Sequence, residues 1–431
     1  MKEYSLCNVG NGMDFEEKFL QEEIKRTNPD YIVYVPACKG DKKDHGNEHL
    51  HIFRAKDSRM CALWTMSAFE GTFSQRPVIS FSFDEGKTWS EPKSLLQEEI
   101  DPETGKNMGS WASPAISRSG RIYVIYCKHQ GKKGFYSHQR GKMAICYSDD
   151  CGESWSRESV RDLPRTKYDL PDPEEAVDWV IWQKACRLQS GRVIMGFTRG
   201  WLAYPPAPKS WTQHPCGCEF FSLDNIDDDP EPEDLILDFI SDPEKPLTAP
   251  LRNYPDRFCA EEPAVCQLPD RRLFMVMRTT EGHVWYSVSS DDGSSWRTPE
   301  MLRYKDGGEG ILHPLSPSPM FETREGEYVL FTHNHDGYNG HHDPQSKGNW
   351  RNPLYILRGE YRKDAWQPVW FSAPVEFMNN GDVAMERNDL AIYGDLTIEN
   401  GVPVLWYPDR KFFLLGKKLT GDFLESMKIP E

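Results

Sequence analysis

Histidine, glutamate, arginine, tyrosine and tryptophan recur in this chain at the outer ends of short apolar hairpins. The upstream ends carry Glu48, His49 and His51, then Trp111, Trp182 with Lys184, Glu261 with Glu262, His313, and Tyr393. The downstream ends carry Ser67 through Glu70, His129, Arg199, Arg278, His333 through His335, and Asp409 with Arg410. A hairpin's turn lies at one end, so the start of its first strand and the finish of its second share the other. Hairpins set around an axis bring all these ends to one mouth. The residue types there can bind a carboxylate and move protons. Arginine forks grip carboxylates, and glutamate and histidine move protons. Tyrosine becomes a nucleophile once a base takes its proton, and indole faces stack on sugar rings. For Trp111 and Trp182, core packing is an equal reading.

One further concentration, THNHDGYNGHHDP, holds His333, His335, Asp336, His341, His342 and Asp343. Imidazoles and carboxylates can hold zinc. This spacing matches no closed structural site, so the segment reads as a polar active-site loop, and no metal or cofactor is expected. The eleven cysteines are odd in number and scattered, and Cys216 and Cys218 form a CGC without zinc-spaced CxxC pairs. Buried reduced thiols in a cytoplasmic protein fit that pattern. The first residues, MKEYSLCNVGNGMDFEEKFL, lack the basic, apolar and small-residue regions of a signal peptide. A secreted protein whose leader has been removed is the competing reading.

The net charge of −16 disfavours nucleic acid and anionic membranes, and no Lys/Arg cluster interleaved with aromatics opposes it. No apolar run approaches the ~18 residues of a spanning helix. An acidic substrate is compatible with that charge, because a few buried arginines can hold a carboxylate against the overall field.

The elements that position these residues are repeats. Ser82-Phe-Asp84-Glu-Gly86-Lys-Thr88-Trp89 recurs at Ser148–Trp155 and at Ser289–Trp296, with a degenerate copy at Ser222-Leu-Asp224-Asn. Each follows an apolar run and has the makings of a hairpin turn, with Gly for a positive φ and Asp to cap backbone N–H groups. A longer repeat places a turn before an apolar strand six times, around Ser58, Gly120, Gly191, Arg271, Gly326 and Gly401. Several of these have a matching strand upstream, such as SPAIS, EPAVCQL and GDLTI. Six units of about four strands imply an all-β, six-bladed β-propeller, one domain over 1–431. Residues 1–45 read as an irregular segment or closing strand. Residues 200–258, with AYPPAPK and the acidic run Asp227–Asp234, read as a solvated surface insertion.

The octapeptide S-x-D-x-G-x-[ST]-W resembles the Asp-box of the sialidase-like (BNR repeat) superfamily, which implies the same propeller and nothing about catalysis. Two further segments resemble those of an exo-sialidase-like glycoside hydrolase and imply a glycan as the partner. CAEEPAVCQLPDRRLFMVMRT is similar to the sialidase segment in which a glutamate opens one strand and an arginine closes the next. That implies Glu262 or Glu261 as base and Arg278 as carboxylate clamp. LAIYGDLTIENGVPVLWY is similar to the segment bearing the sialidase tyrosine, implying Tyr393 as nucleophile, the recognised exception to paired carboxylates. Arg351 in WRNPLYI resembles a further substrate-binding arginine, with Arg199 competing. Where the family has Arg-Ile-Pro, this chain has NEHLHIFRA, with His49 and His51. Glu70 in SAFEGTFSQR is the nearest candidate acid. His49, His129 and His313 are candidate acid/base or positioning groups, and His51, His335, Trp111 and Trp182 candidate substrate contacts.

PAISRSGRIYVIYCKH, ending at His129, resembles a segment of propeller lyases that cleave beside a uronic acid by β-elimination, with Trp111 in place of their first histidine. Lyase chemistry on a rhamnosyl-glucuronate or ulvan-type linkage is the second reading, and non-catalytic glycan binding the third.

Overall fold

The computed structural model describes residues 17–37, 42–131, 139–204, 215–251, 254–337, 351–381 and 389–431. Six antiparallel sheets, each of four or five strands, form a six-bladed β-propeller. The sheets begin with inner strands at Gly46–Arg54, Gly109–Ile116, Trp179–Ile181 with Cys186–Arg187, Glu261–Gln267, Met320–Arg324 and Asp395–Glu399. The sixth sheet is completed from the other end of the chain. Tyr31–Tyr34 pairs antiparallel with Phe413–Lys418 and supplies its outermost strand.

The core is divided among the gaps between blades. Ile52 and Trp64 meet Val404 and Trp406 between the first and sixth blades. Leu63 and Ile79 meet Val124 and Ala144 in the next gap, and Ile125 and Ile145 meet Met195 and Phe221 in the one after. Successive side chains on a strand point to opposite faces, so neighbours such as Val124 and Ile125 fill different gaps. Both faces of a blade are covered, and the middle strands therefore read as unbroken apolar runs rather than alternating ones.

All six turns inferred from the longer repeat adopt the left-handed backbone. The φ values are 73° at Ser58, 93° at Gly120, 93° at Gly191, 71° at Arg271, 73° at Gly326 and 79° at Gly401. The octapeptides form the turns after the third strands. Ser82 Oγ accepts the Gly86 N–H at 2.8 Å, Asp84 Oδ1 accepts the Thr88 N–H at 2.9 Å, and Trp89 Nε1 donates to the Gly86 carbonyl at 3.0 Å. The copy at 289–296 repeats these bonds. At the degenerate copy, Ser222 keeps its bond to Asp224.

Residues 200–258 carry more of the fold than their composition suggests. They contain two strands of the third blade, Cys216–Leu223 and Leu237–Phe239. The acidic run is tied to neighbours. Asp227 takes a two-pronged contact from Arg187, and the Asp229 and Pro230 carbonyls accept from Arg121. Residues 205–209 of the Pro-rich loop lie outside the described residues, as do residues 1–16. Among the described residues no helix is long and apolar enough to cross a membrane.

Ser58 and Arg271 occupy a backbone region that disfavours a Cβ. Arg271 is exposed, so Arg271→Gly relieves strain at little loss of packing. Set against the added freedom of the unfolded chain, a gain of about 0.5–1 kcal/mol is expected in a urea unfolding midpoint.

Candidate active site

Three inner strands share a bulge at the same place. Glu48 faces Thr65 and His51 faces Leu63. Ser110 faces Cys127 and Ser113 faces Ile125, while Glu261 faces Arg278 and Ala264 faces Val276. Each inner strand thus spends one extra residue. The residue after the first pair is left-handed in all three, with φ of 57° at His49, 55° at Trp111 and 54° at Glu262. Two of them are held from the preceding blade: the Trp111 N–H donates to Thr65 Oγ1 at 2.8 Å, and the Glu262 N–H to Thr198 Oγ1 at 2.7 Å. The third blade breaks its inner strand instead, between Ile181 and Cys186, where Trp182 and Lys184 sit.

These devices bring Glu262, Arg278 and Tyr393 together. Arg278 NH1 donates to Glu262 Oε1 at 2.8 Å and to Tyr393 Oη at 2.8 Å, and Tyr393 Oη donates to Glu262 Oε1 at 3.2 Å. Glu261 Oε2 lies 3.1 Å from Arg278 Nε. The His49 ring stacks on Tyr393 with centroids 4.6 Å apart, Trp182 meets it edge-on at 6.2 Å, and Lys411 Nζ sits over it at 4.6 Å. Trp111 lies 6.0 Å from His49. Both indoles are buried and brace the Tyr393–His49 stack.

Burial pushes the Tyr393 hydroxyl up to about 12, against the pull of Arg278, Lys411 and Arg351. The phenol is therefore protonated at neutral pH, with a carboxylate in position to take the proton. Burial likewise lowers His49 and His313 well below the ordinary histidine value, and His333 to about 3. His313 Nε2 pairs with the Ser316 carbonyl at 2.7 Å, and Ser316 Oγ with His333 Nε2 at 3.1 Å. His335 interacts electrostatically with both His313 and His333. Arg351 donates to the Leu315 carbonyl at 3.1 Å and acts on Glu261, His333 and Tyr393. Among the described residues, Glu262 Oε2, His49 Nδ1, Trp182 Nε1, His313 Nδ1 and Arg351 Nε are buried without a hydrogen-bond partner. Such orphans are rare in folded proteins and suit a polar ligand.

Lys411 was not a sequence candidate. It pairs with Glu48 at 2.9 Å and Glu70 at 2.6 Å, and so brings Glu70 to the same site. Its signal was the neighbouring Asp409-Arg410, read as the strand exit. Arg410 and Lys411 are both left-handed (φ 60° and 51°), so the lysine rather than the arginine reaches Tyr393.

Four of the strand-end residues go elsewhere. Arg199 is held by Glu219 at 2.7 Å, by Asp169 at 3.2 Å and by the Pro164 carbonyl at 3.1 Å. His51 and Lys184 line a separate cavity of about 460 Å³ beside Asp395, which receives Lys184 at 2.8 Å. His129 binds the Gly105 carbonyl at 3.1 Å and stacks with Phe73. His341, His342 and Asp343 lie outside the described residues.

Arg278 compensates the buried Glu262 and the half-buried Glu261, so Arg278→Leu should cost about 3–5 kcal/mol. Burial already raises Glu261, with Arg278 opposing, and the variant raises it further. A raised folded-state pKa gives stability below the unfolded value that is lost as pH rises through the folded one. The deficit of the variant in urea should accordingly be smaller near about pH 5 than near about pH 8.

No curated protein sequence matches the chain significantly. Its fold is similar to that of Hadza microbial sialidase Hz136, at TM-score 0.59 and 11% identity over 90% of this chain and 68% of that one. It is similar to NanB sialidase from Streptococcus pneumoniae, at 0.59 and 12% over 92% and 71%. The intramolecular trans-sialidase from Ruminococcus gnavus gives 0.58 and 13% over 91% and 98%. At such identities these likenesses establish the fold. The sequence pattern of the BNR repeat-like domain matches residues 58–373, well over half the chain, and the protein belongs to that family.

Proposed function

We propose that the protein is a glycoside hydrolase that removes a terminal acidic sugar from a glycan. The observation that carries this reading is the Tyr393–Glu262–Arg278 triangle, closed by contacts of 2.8, 2.8 and 3.2 Å. Glu262 takes the phenolic proton as Tyr393 Oη attacks the anomeric carbon and the bond to the leaving oxygen breaks. Glu70, partly exposed on Lys411, is the acid that protonates the leaving oxygen. For that role it must give up Lys411 and take a proton when substrate arrives. Water then attacks the anomeric carbon while Glu70, now a carboxylate, takes its proton; the glycosyl–tyrosine bond breaks, and Glu262 returns its proton to Tyr393.

A tyrosine nucleophile suits an anomeric centre that carries a carboxylate, because a neutral phenol approaches it without charge repulsion. Arg278 is engaged by Glu261 and Glu262, whereas Arg351 Nε is unpartnered among the described residues. Arg351 is therefore the principal partner proposed for the substrate carboxylate, and Arg278 the group that stabilises the tyrosinate. His49 and His313, neutral through burial, position the site, with His333 and His335 behind His313. Arg199, His51 and His129 receive no part.

His49, stacked on Tyr393 with Nδ1 unpartnered, favours a second reading, β-elimination beside a uronic acid with tyrosine and histidine moving the protons.

A panel of sialosides and uronic-acid-terminated oligosaccharides separates them. Hydrolysis releases a saturated sugar with no new ultraviolet absorbance, Glu262→Gln lowers kcat about 10²–10⁴-fold, and Tyr393→Phe abolishes turnover while sugar binding persists. A rising absorbance from an unsaturated uronate overturns the hydrolase in favour of elimination. Tight glycan binding without turnover leaves a lectin.

A further inference from the structure

The two oxygens of Glu261 have different neighbours. Oε2 faces Arg278 Nε at 3.1 Å. Oε1 lies 3.6 Å from Cys216 Sγ, and that sulfur lies 3.6 Å from Cys259 Sγ. All three ligand atoms fall within 4.8 Å of one another, the one such trio among the described residues. The topology accounts for the meeting. Cys216 opens the third-blade strand Cys216–Leu223, and its carbonyl accepts the Ala260 N–H at 3.4 Å. Cys259 and Glu261 are two apart where the fourth blade's inner strand begins, a spacing that puts both side chains on one side of an extended chain. Both cysteines are buried.

The distances are selective. A tetrahedral zinc ion with bonds of about 2.3 Å to sulfur and about 2.0 Å to oxygen sets S···S edges near 3.8 Å and S···O edges near 3.5 Å. Both 3.6 Å separations are close to those edges. A disulfide needs sulfurs about 2.05 Å apart, far shorter than this pair. Zinc(II) with two thiolates and one carboxylate carries one net negative charge, and Arg278, on Oε2 of Glu261 and Oε1 of Glu262, offsets part of it.

We infer that Cys216, Cys259 and Glu261 bind a zinc-class divalent ion, with a solvent molecule as the fourth ligand. The ion fastens the third blade to the inner strand of the fourth. Glu261 then bridges metal and arginine, so that Arg278 holds a ligand in place and is itself held, as outer groups around metal ligands do. Loading releases the two thiol protons to solvent as the two sulfur–metal bonds form. Through Glu261 and Arg278 the site adjoins the Tyr393–Glu262 pair, and it holds whichever reaction the chain performs.

The test uses the full chain, reduced, treated with chelator and reloaded with zinc or cobalt(II). One equivalent of zinc per chain is expected, with a thiolate-to-cobalt charge-transfer band and proton release on loading. Cys216→Ser and Cys259→Ser should lose the band. Arg278→Leu should weaken zinc binding about 10–100-fold. Zinc stoichiometry unchanged in the Cys216→Ser/Cys259→Ser double variant overturns the site. If that variant fails to fold, the wild-type spectrum decides, and a cobalt complex without the thiolate band overturns it equally. So does an intact mass lower by two hydrogens, with Cys216 and Cys259 cross-linked, in protein kept reduced and loaded.

Discussion

A ring of sheets holds an axial site only if its first and last blades are joined. Here the joint is the four-residue strand Tyr31–Tyr34, laid on Phe413–Lys418. It is reinforced by Lys417, which donates to the Thr27 and Asn28 carbonyls, and by Arg410, which reaches Glu23. Everything at the mouth depends on it. The Leu50 N–H donates to the Tyr393 carbonyl at 2.9 Å, and the Asn47 N–H to the Lys411 carbonyl at 2.8 Å. These bonds press the first blade's His49 against the sixth blade's Tyr393. Closure is thus a condition of the site as well as of stability, because it also removes the sheet edges that a long all-β chain would expose.

Within the closed ring, direction is obtained by local strain. A regular inner strand would alternate its side chains between two interblade gaps and send none squarely to the axis. The bulges at His49, Trp111 and Glu262 break that alternation at one level of the funnel. Left-handed non-glycine residues cost about 1–3 kcal/mol each. Threonine hydroxyls from the neighbouring blade and the Arg278 contacts offset that cost, and the interblade bonds pass the geometry of one blade to the next.

The fold was legible because its signals are local. An Asp-box is eight residues long and makes its hydrogen bonds within itself, and each of the six turns lies beside the strand it feeds. Glu262, Arg278 and Tyr393 were legible as strand ends, since an end's position follows from the turn that defines the hairpin. The bulges were not, because the left-handed position in each is His49, Trp111 or Glu262 rather than a glycine or asparagine. Lys411 was hidden by a one-residue shift that only two consecutive left-handed residues produce. Arg199 showed the reverse: its position at a strand exit was readable, but the carboxylates of Asp169 and Glu219 that draw it aside come from distant segments with no mark in the sequence. The Cys216–Cys259–Glu261 group was missed for a similar reason. Ligand spacing is a signal only when one loop supplies the ligands, and here two blades do.

The electrostatics follow from the same burial. The chain carries a net −16, yet such a field is screened beyond about 8–10 Å at ordinary salt, and what a buried group feels is its immediate shell. Desolvation holds His49, His313 and His333 neutral, so the charges at the mouth belong to Arg278, Arg351 and Lys411 and to the glutamates that face them. Arginine keeps its charge under desolvation that neutralises an imidazole, and Lys411 keeps two carboxylates beside it. Four glutamates, Glu48, Glu70, Glu261 and Glu262, face Arg278 and Lys411, so the cation open to an anionic ligand is Arg351, whose Nε is unpartnered among the described residues. The same shell that pushes the Tyr393 phenol up to about 12 also sets Glu262 against it, so the hydroxyl stays protonated until its proton has somewhere to go.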